Sequence, residues 1–235
     1  MPLPILDVPT YELTLPSTNQ DLKYRPFLVR EEKILLIAME GEDESEIVNA
    51  VCKIIENCIL SDTFDVDLLP LFDIEYVFLK LRSKSIGETS TLEFKCKECE
   101  QPNKVIVDLS KIEITKTENH TTKIKLTEDI GVIMKYPTPK SMKLMSSPEG
   151  TVASAFEMIE TCVETLYQGE EIYDMNDYTF PEKRDFFDSL TQIQFEKIQN
   201  FIASMPRLEH DITFNCSKCN TTNDIKIEGL QNFFE

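Results

Sequence analysis

Two pairs of cysteines have the spacing that suits metal binding. Cys96 and Cys99 form one Cys-x-x-Cys pair, and Cys216 and Cys219 form another. A gap of two residues lets one tight turn aim both sulfur atoms at the same ion, and structural zinc is commonly held by four thiolates from two such knuckles. We therefore predict one structural zinc ion held by all four cysteines.

The two pairs are much further apart in sequence than in a compact zinc ribbon, so tertiary structure would have to assemble the site. Other arrangements stay open: the knuckles could lie apart with free thiols, each could be completed by another chain, or His210 could be an alternative ligand. For both histidines of the chain, His120 and His210, a plain surface position is the simpler interpretation. Neither cysteine pair opens a helix in a βαβ pattern, which argues against a thioredoxin-like redox role.

The other three cysteines have a different sequence context. Cys52, Cys58 and Cys162 lie in apolar patterns with helical spacing, which predicts small buried side chains rather than reactive thiols. The total of seven cysteines is odd. Together these features favour reduced thiols in a cytosolic compartment over a disulfide framework.

The two cysteine pairs occupy equivalent places in a repeated sequence. Residues 92–99 align with residues 212–219, and the alignment continues without a gap through three matched pairs: Asn103 with Asn223, Val105 with Ile225, and Val107 with Ile227. Further upstream the register changes, but residues 55–59 still resemble 159–163, and residues 13–26 resemble 124–137. Features matched in the same order indicate an internal duplication.

The duplication predicts an α+β fold of two similar halves related by a pseudo-twofold axis. The first repeat would cover residues 1–118 and the second residues 119–235, with the boundary in a polar stretch. Each would contain a β-hairpin, helices and a Cys-x-x-Cys hairpin. Apolar stripes with helical spacing predict helices at residues 47–58, 74–81, 152–166 and 195–202. Residues 167–184 are predicted to be an inserted loop, with room for a short helix.

Composition and missing motifs narrow the classes of function. The formal net charge is −18, which disfavours binding to a phosphate backbone. No apolar run is long enough for a membrane span, and the N-terminus does not resemble a signal peptide. Nucleotide-binding loops, nucleophile elbows and metalloprotease motifs are missing. We predict an intracellular, non-enzymatic protein with no membrane, nucleic-acid or small-molecule partner.

The N-terminal sequence resembles a known phage family. Residues 10–13 (Thr-Tyr-Glu-Leu) and 22–36 (Leu-Lys-Tyr-Arg-Pro-Phe-Leu-Val-Arg-Glu-Glu-Lys-Ile-Leu-Leu) are similar to the opening of the baseplate hub subunit, or hub-assembly protein, of T-even-type contractile-tailed bacteriophages. The likeness extends through Cys58 and the first cysteine hairpin, and more loosely over the whole chain. It implies no catalytic residues.

The resemblance implies a structural or assembly role in the tail baseplate hub. The partners would be hub proteins and the tape-measure protein, and the place of assembly would be the host cytoplasm. Family members could stay in the virion tail baseplate or act only as assembly chaperones, and both possibilities stay open.

A zinc-ribbon module for nucleic-acid binding or transcription is the alternative from another class. It requires a basic face beside the knuckles. The lysines there are outnumbered by carboxylates, which counts against it. The lysines are Lys95, Lys97, Lys104 and Lys218, and the carboxylates are Glu93, Glu98, Glu100, Asp108, Asp224 and Glu228.

Overall fold

The computed structural model describes residues 6–41, 44–61, 63–143, 145 and 151–229. The fold is α+β, as predicted, with seven α-helices and several small sheets among the described residues. The chain divides into two compact units. The first unit comprises Met1–Thr115 together with Arg207–Glu235, and the second unit comprises Lys116–Pro206.

The first unit begins with a hairpin and three helices. These elements are β1 (Tyr11–Thr14), β2 (Asp21–Tyr24), α1 (Val29–Glu40), α2 (Glu44–Cys58) and α3 (Leu71–Ser85). Val51, Ile54, Ile55 and Cys58 form the buried stripe of α2 that their helical spacing predicts. They pack into one core with residues of the hairpin and of α3.

An ion-pair network connects the start of α1 to its neighbours. The Glu31 carboxylate is fully buried and accepts a hydrogen bond from the Leu28 N–H at 2.8 Å, which caps the helix. Arg25 Nη2 lies 3.0 Å from Glu31 Oε1 and 2.8 Å from the Asn57 carbonyl oxygen near the end of α2. Arg25 thereby ties the end of β2 to both helices.

The two cysteine hairpins complete the first unit. Their strands are β3 (Thr89–Lys95) with β4 (Pro102–Asp108), and β10 (Arg207–Asn215) with β11 (Thr222–Glu228). Strand β5 (Ile114–Thr115) pairs with the start of β10. The alternating inward residues of both hairpins share one core with Leu79 of α3, and they include Leu92, Val107, Ile212 and Ile227.

The second unit is built on a four-stranded antiparallel sheet. Its strands, in the order β6-β7-β8-β9, are Lys123–Lys125, Ile130–Met134, Val163–Gln168 and Glu171–Asp174. Its helices are α4 (Pro139–Met142), α5 (Val152–Cys162), α6 (Phe180–Asp188) and α7 (Gln192–Ser204). These elements pack around a core of their own that includes Val132, Cys162, Ile198 and Phe201.

The structure corrects two secondary-structure predictions in the second unit. The helix predicted to continue to Leu166 ends at Cys162, and the chain enters strand β8 at Val163. The predicted loop at residues 167–184 is instead the end of β8, strand β9, a short 3-10 helix and the start of α6. Val163, Thr165 and Leu166 pair with β7, so the apolar Val163 and Leu166 belong to a sheet rather than to a helix.

Candidate metal centre

Each cysteine pair lies in a tight turn between two strands. In the first hairpin the Glu100 N–H donates to the Cys96 carbonyl oxygen at 2.9 Å, and the Cys96 N–H donates to the Gln101 carbonyl oxygen at 3.0 Å. In the second hairpin the same two bonds join Asn220 to Cys216 at 3.0 Å and Cys216 to Thr221 at 2.9 Å. The two turns therefore have the same backbone hydrogen bonds.

Both turns also have one residue in the left-handed region. These residues are Glu100 (φ 55°) and Asn220 (φ 58°), each directly after the second cysteine of its pair. Asparagine tolerates this conformation better than glutamate does, because its short side chain is compatible with positive φ. The left-handed residue reverses the chain and leaves both sulfur atoms on one side of the turn.

The structure brings all four predicted ligands together. The sulfur atoms of Cys96, Cys99, Cys216 and Cys219 all lie within 4.8 Å of one another. The distances between hairpins are 3.6 Å for Cys96–Cys219, 3.6 Å for Cys99–Cys216 and 3.5 Å for Cys99–Cys219. A disulfide would need about 2.0 Å, whereas four sulfurs at about 2.3 Å from one central ion lie about 3.8 Å apart. The four thiols thus have the spacing of a tetrahedral ligand set.

The four thiols differ in exposure. Cys96 and Cys216, the first cysteines of each pair, are buried, whereas Cys99 is half-buried and Cys219 is exposed. The cluster therefore lies at the edge of the hairpin core, with one side turned to solvent.

The acidity of the thiols also differs. The backbone N–H groups of Cys219 and Lys218 stabilise the Cys216 thiolate and lower its pKa to about 6. The Glu98 N–H is the main cause of the lowered pKa of Cys96. The Gln101 N–H acts to lower the pKa of Cys99, but burial and hydrogen bonds with the other three thiols outweigh it and raise that pKa to about 12. Without a cation Cys99 therefore keeps its proton near neutral pH, whereas a bound metal ion takes thiolates.

Two asparagines connect the hairpins reciprocally. Asn103 Oδ1 accepts the Ser217 N–H at 2.8 Å, and Asn103 Nδ2 lies 3.8 Å from Cys216 Sγ. Asn223 Oδ1 accepts the Lys97 N–H at 2.9 Å, and its Nδ2 lies 3.7 Å from Cys96 Sγ. Each asparagine therefore reaches the first cysteine of the other hairpin and the residue that follows it.

Aromatic packing supports the same junction. Phe94 and Phe214, each two residues before the first cysteine of its pair, stack with ring centroids 6.2 Å apart. Both rings lie against the core that the hairpins share. The centre is thus held by equivalent residues of the two hairpins.

The remaining candidate residues lie elsewhere. His210 pairs with Ile227 within the β10–β11 ladder, and the metal-type cluster found among the described residues contains cysteines alone. His120 is half-buried rather than on the surface, and it stacks against Tyr136 and Phe201. The surface prediction for His120 is therefore wrong, because the ring packs in an aromatic cluster and its Nδ1 lies 2.9 Å from Ser204 Oγ.

The three helical cysteines are buried, as predicted from their apolar patterns. They are Cys52, Cys58 and Cys162. Burial raises the pKa of Cys58 to about 11 and that of Cys162 to about 12. Both thiols are therefore protonated near neutral pH.

Sequence reasoning did not assign roles to the asparagines beside the cluster. Asn103 and Asn223 are identical and fall at the same position of the aligned hairpins. A polar residue repeated among apolar strand positions was a signal for a shared contact. The contact of Arg25 with Glu31 had no such signal, because neither residue has a matched partner in the second half.

Comparison with known proteins gives the family. A model of the family described as T4 bacteriophage base plate protein matches residues 8–235. The chain therefore belongs to the T4-type phage baseplate protein family, as its N-terminal sequence predicts. No curated protein matches the chain, and no solved structure does.

Membership of this family supports a structural role in the phage tail baseplate, in contact with other tail proteins. Among the helices that the structure describes, none is both long enough and apolar enough to cross a membrane.

Proposed function

We propose that this chain is a structural or assembly protein of the baseplate hub that acts by binding other tail proteins and not by catalysis. The observation that carries the proposal is the baseplate family match over residues 8–235, and the hub assignment comes from the resemblance at residues 10–13 and 22–36. Hub proteins and the tape-measure protein are the proposed partners, and the host cytoplasm is the proposed place of assembly. The nucleic-acid alternative has no observation in its favour.

Helix α1 begins in the segment with the strongest family resemblance, and it has one buried side and one exposed apolar side. Glu31 and Leu35 are buried in the first unit. On the other side of α1, Val29, Leu36 and Ile37 are 79%, 56% and 58% exposed. Clustered exposed apolar residues often mark protein contacts. This face of α1 supports a function through binding.

Purification of the tagged chain from infected cells tests this proposal. Mass spectrometry of the co-purifying proteins should find hub or tape-measure proteins. Leu36→Lys and Ile37→Lys should weaken that association. Ile172→Lys, at a 73% exposed position of the second unit, is the matched control. A lone chain that turns over a small substrate would contradict the proposal.

We further propose that the four clustered cysteines hold one structural zinc ion. The donor set supports zinc because four thiolates in tetrahedral spacing suit it, and such a site is closed to substrate. Cys96 and Cys99 would supply one half, and Cys216 and Cys219 the other. The ion would stabilise the junction of two hairpins that are far apart in sequence. Metal analysis of the purified protein should find one zinc per chain.

The duplication is also a proposal, with repeats at residues 1–118 and 119–235 related by a pseudo-twofold axis. The reciprocal hairpin contacts support it. A second support lies upstream: Tyr24 bridges to Ile59, and Met134 pairs with Val163, directly after the cysteine that ends a helix in each case. An experimental structure whose two repeats do not superpose would contradict it.

A further inference from the structure

The side chains of Asn103 and Asn223 use both donor directions and their oxygen acceptor at the hairpin junction. Both are buried, with 7% and 2% of their surface exposed. Besides the bonds across the junction, Asn103 Nδ2 donates to the Gln101 carbonyl oxygen at 2.7 Å, and Asn223 Nδ2 donates to the Thr221 carbonyl oxygen at 2.8 Å. Each amide thus makes two donor contacts and accepts one N–H, which fits its capacity.

This network fixes the orientation of both amides. The oxygen of each amide faces a backbone N–H, of Ser217 or of Lys97. Exchanging the oxygen and nitrogen would place two donors against each other and lose the bond. The NH₂ groups must therefore point at the carbonyl oxygen of their own turn and at the sulfur of the other hairpin.

An N–H donor aimed at sulfur has most effect when the sulfur is charged. A neutral thiol is a weak acceptor, whereas hydrogen bonds to ionised acceptors are roughly twice as strong. Four thiolates around a divalent cation leave a net negative charge on the centre. Donors from Asn103 and Asn223 would disperse part of it at Cys216 and Cys96.

We propose that Asn103 and Asn223 are positioning residues of the metal centre, and that each fixes and stabilises the first cysteine of the opposite hairpin. This inference rests on the proposed metal site and adds the residues that set its affinity. Groups outside the ligand set commonly change metal affinity by about 10–100-fold when they are substituted. Because the contacts are reciprocal, the two asparagines should contribute equally.

The full-length chain provides the test, with Asn103→Asp and Asn223→Asp as variants. Aspartate keeps the volume and the oxygen acceptor but removes the donor to sulfur. Asn215→Asp is the matched control: Asn215 is exposed, precedes Cys216 directly, and accepts a hydrogen bond from Thr222 Oγ1 at 2.9 Å. Zinc affinity is measured by competition with a chromophoric chelator, and the thiolate-to-cobalt charge-transfer band is recorded after cobalt replaces zinc.

We expect both variants at the junction to lose about 10–100-fold in zinc affinity and to shift the cobalt band to lower energy. Asn215→Asp should match the wild type in both measurements. A purely structural asparagine would leave the band unmoved, because the electron density on sulfur would not change. If an aspartate variant fails to fold, Asn103→Ser and Asn223→Ser, which add no charge, replace it. We expect these variants to show the same loss of zinc affinity and the same shift of the cobalt band.

Two results would overturn the inference, and they are distinguishable. If the wild type binds zinc and the Asn103 and Asn223 variants match Asn215→Asp in affinity and band position, the positioning role is wrong while the metal site stands. If the wild type takes up no zinc from a stoichiometric solution, the metal site itself is wrong and the asparagine role with it. Neither result bears on the proposed baseplate role, which co-purification tests separately.

Discussion

The two cysteine hairpins pack differently from the two regions that precede them in the chain, which are residues 11–85 and residues 123–204. The cysteine hairpins share a core, have the same turn geometry and contact each other through equivalent residues. The preceding regions form separate cores. The first region has a two-stranded sheet, whereas the second has four strands because β8 and β9 extend it.

The difference indicates which of the aligned segments constrain one another. In the cysteine hairpins the cysteines, the asparagines and the phenylalanines contact matched residues of the other hairpin, so a change on one side affects both. Each preceding region packs its described residues around a core of its own, so a change in one core leaves the other core unaltered. The first region contains the Arg25–Glu31 ion pair, and the second packs the half-buried His120 in an aromatic cluster.

The largest expected effect is the loss of one thiolate from the shared centre. Cys216→Ser should abolish stoichiometric zinc binding and lower the melting temperature, because metal binding to a structural site contributes directly to folding. Metal analysis and thermal unfolding measure the two effects. Cys162→Ala, a buried cysteine outside the centre, should keep its zinc. If Cys216→Ser kept its full zinc content, the two hairpins would not share a metal site.

The ion pair of the first region should give the next largest effect. Arg25→Met removes the Arg25 guanidinium from the fully buried Glu31 carboxylate, while Arg30 Nε still lies 2.6 Å from Glu31 Oε1. The cost should therefore stay below the roughly 3–5 kcal/mol that is typical when a buried pair is broken outright. Lys23→Met is the matched control. The Lys23–Glu12 pair on the same hairpin is largely exposed at 3.4 Å, so its loss should cost about 0–1 kcal/mol. Urea unfolding measures both, and equal losses would contradict the assigned role of the Arg25 network.

The two preceding regions should respond to acid over different pH ranges. Burial lowers the pKa of His120 below 6.5, so the folded second unit favours neutral imidazole, and this contribution to stability falls as the pH drops below 6.5. Burial alone would raise the pKa of Glu31, but hydrogen bonds from Arg25, the Leu28 N–H and Arg30 lower it from 4.5 to about 2. The Glu31 contribution is therefore present above pH 4.5 and is lost between pH 4.5 and about 2.

Hydrogen exchange followed by mass spectrometry can separate the two regions during acidification. Peptides of the second unit around α7 should lose protection at a higher pH than peptides of α1. His120→Gln should remove the pH dependence that begins at 6.5, and Glu31→Gln the dependence that begins at 4.5. Simultaneous loss of protection in both regions would show that neither group controls its own core.

The sequence was most informative where the chemistry is repeated. Two Cys-x-x-Cys pairs in aligned positions predicted both the hairpins and their meeting, because two half-sites at equivalent places favour a shared ligand set. It was least informative at residues 163–174, where the apolar spacing of helix α5 continues past Cys162 through Val163 and Leu166 although the chain has become a strand. Helical periodicity cannot detect that change, because only the pairing of β8 with β7 and β9 determines it.

The sequence also did not predict how the chain divides into compact units. The second cysteine hairpin belongs to the same compact unit as the first, since its inward residues complete a core with Leu79 and Leu92. A repeat boundary describes the order of matched segments, whereas a compact unit follows from non-local packing. The buried Arg25–Glu31 pair was hidden for the same reason, because charged residues in sequence usually indicate a solvent-exposed face.

The smallest expected effect concerns the turn residues that differ between the matched knuckles. Glu100 and Asn220 have nearly the same positive φ and both are exposed, but a left-handed backbone costs glutamate roughly 1–2 kcal/mol. Glu100→Gly should therefore stabilise the protein by about 1 kcal/mol or less, because the greater chain entropy of glycine in the unfolded state offsets part of the relief. Asn220→Gly should be close to neutral, since asparagine already tolerates this conformation. Urea unfolding of the two variants in parallel measures the difference. Equal effects would show that the backbone strain differs between the two knuckles from what their matching φ angles indicate. A gain at Glu100 alone would support one shared backbone geometry, which asparagine adopts at a lower cost than glutamate.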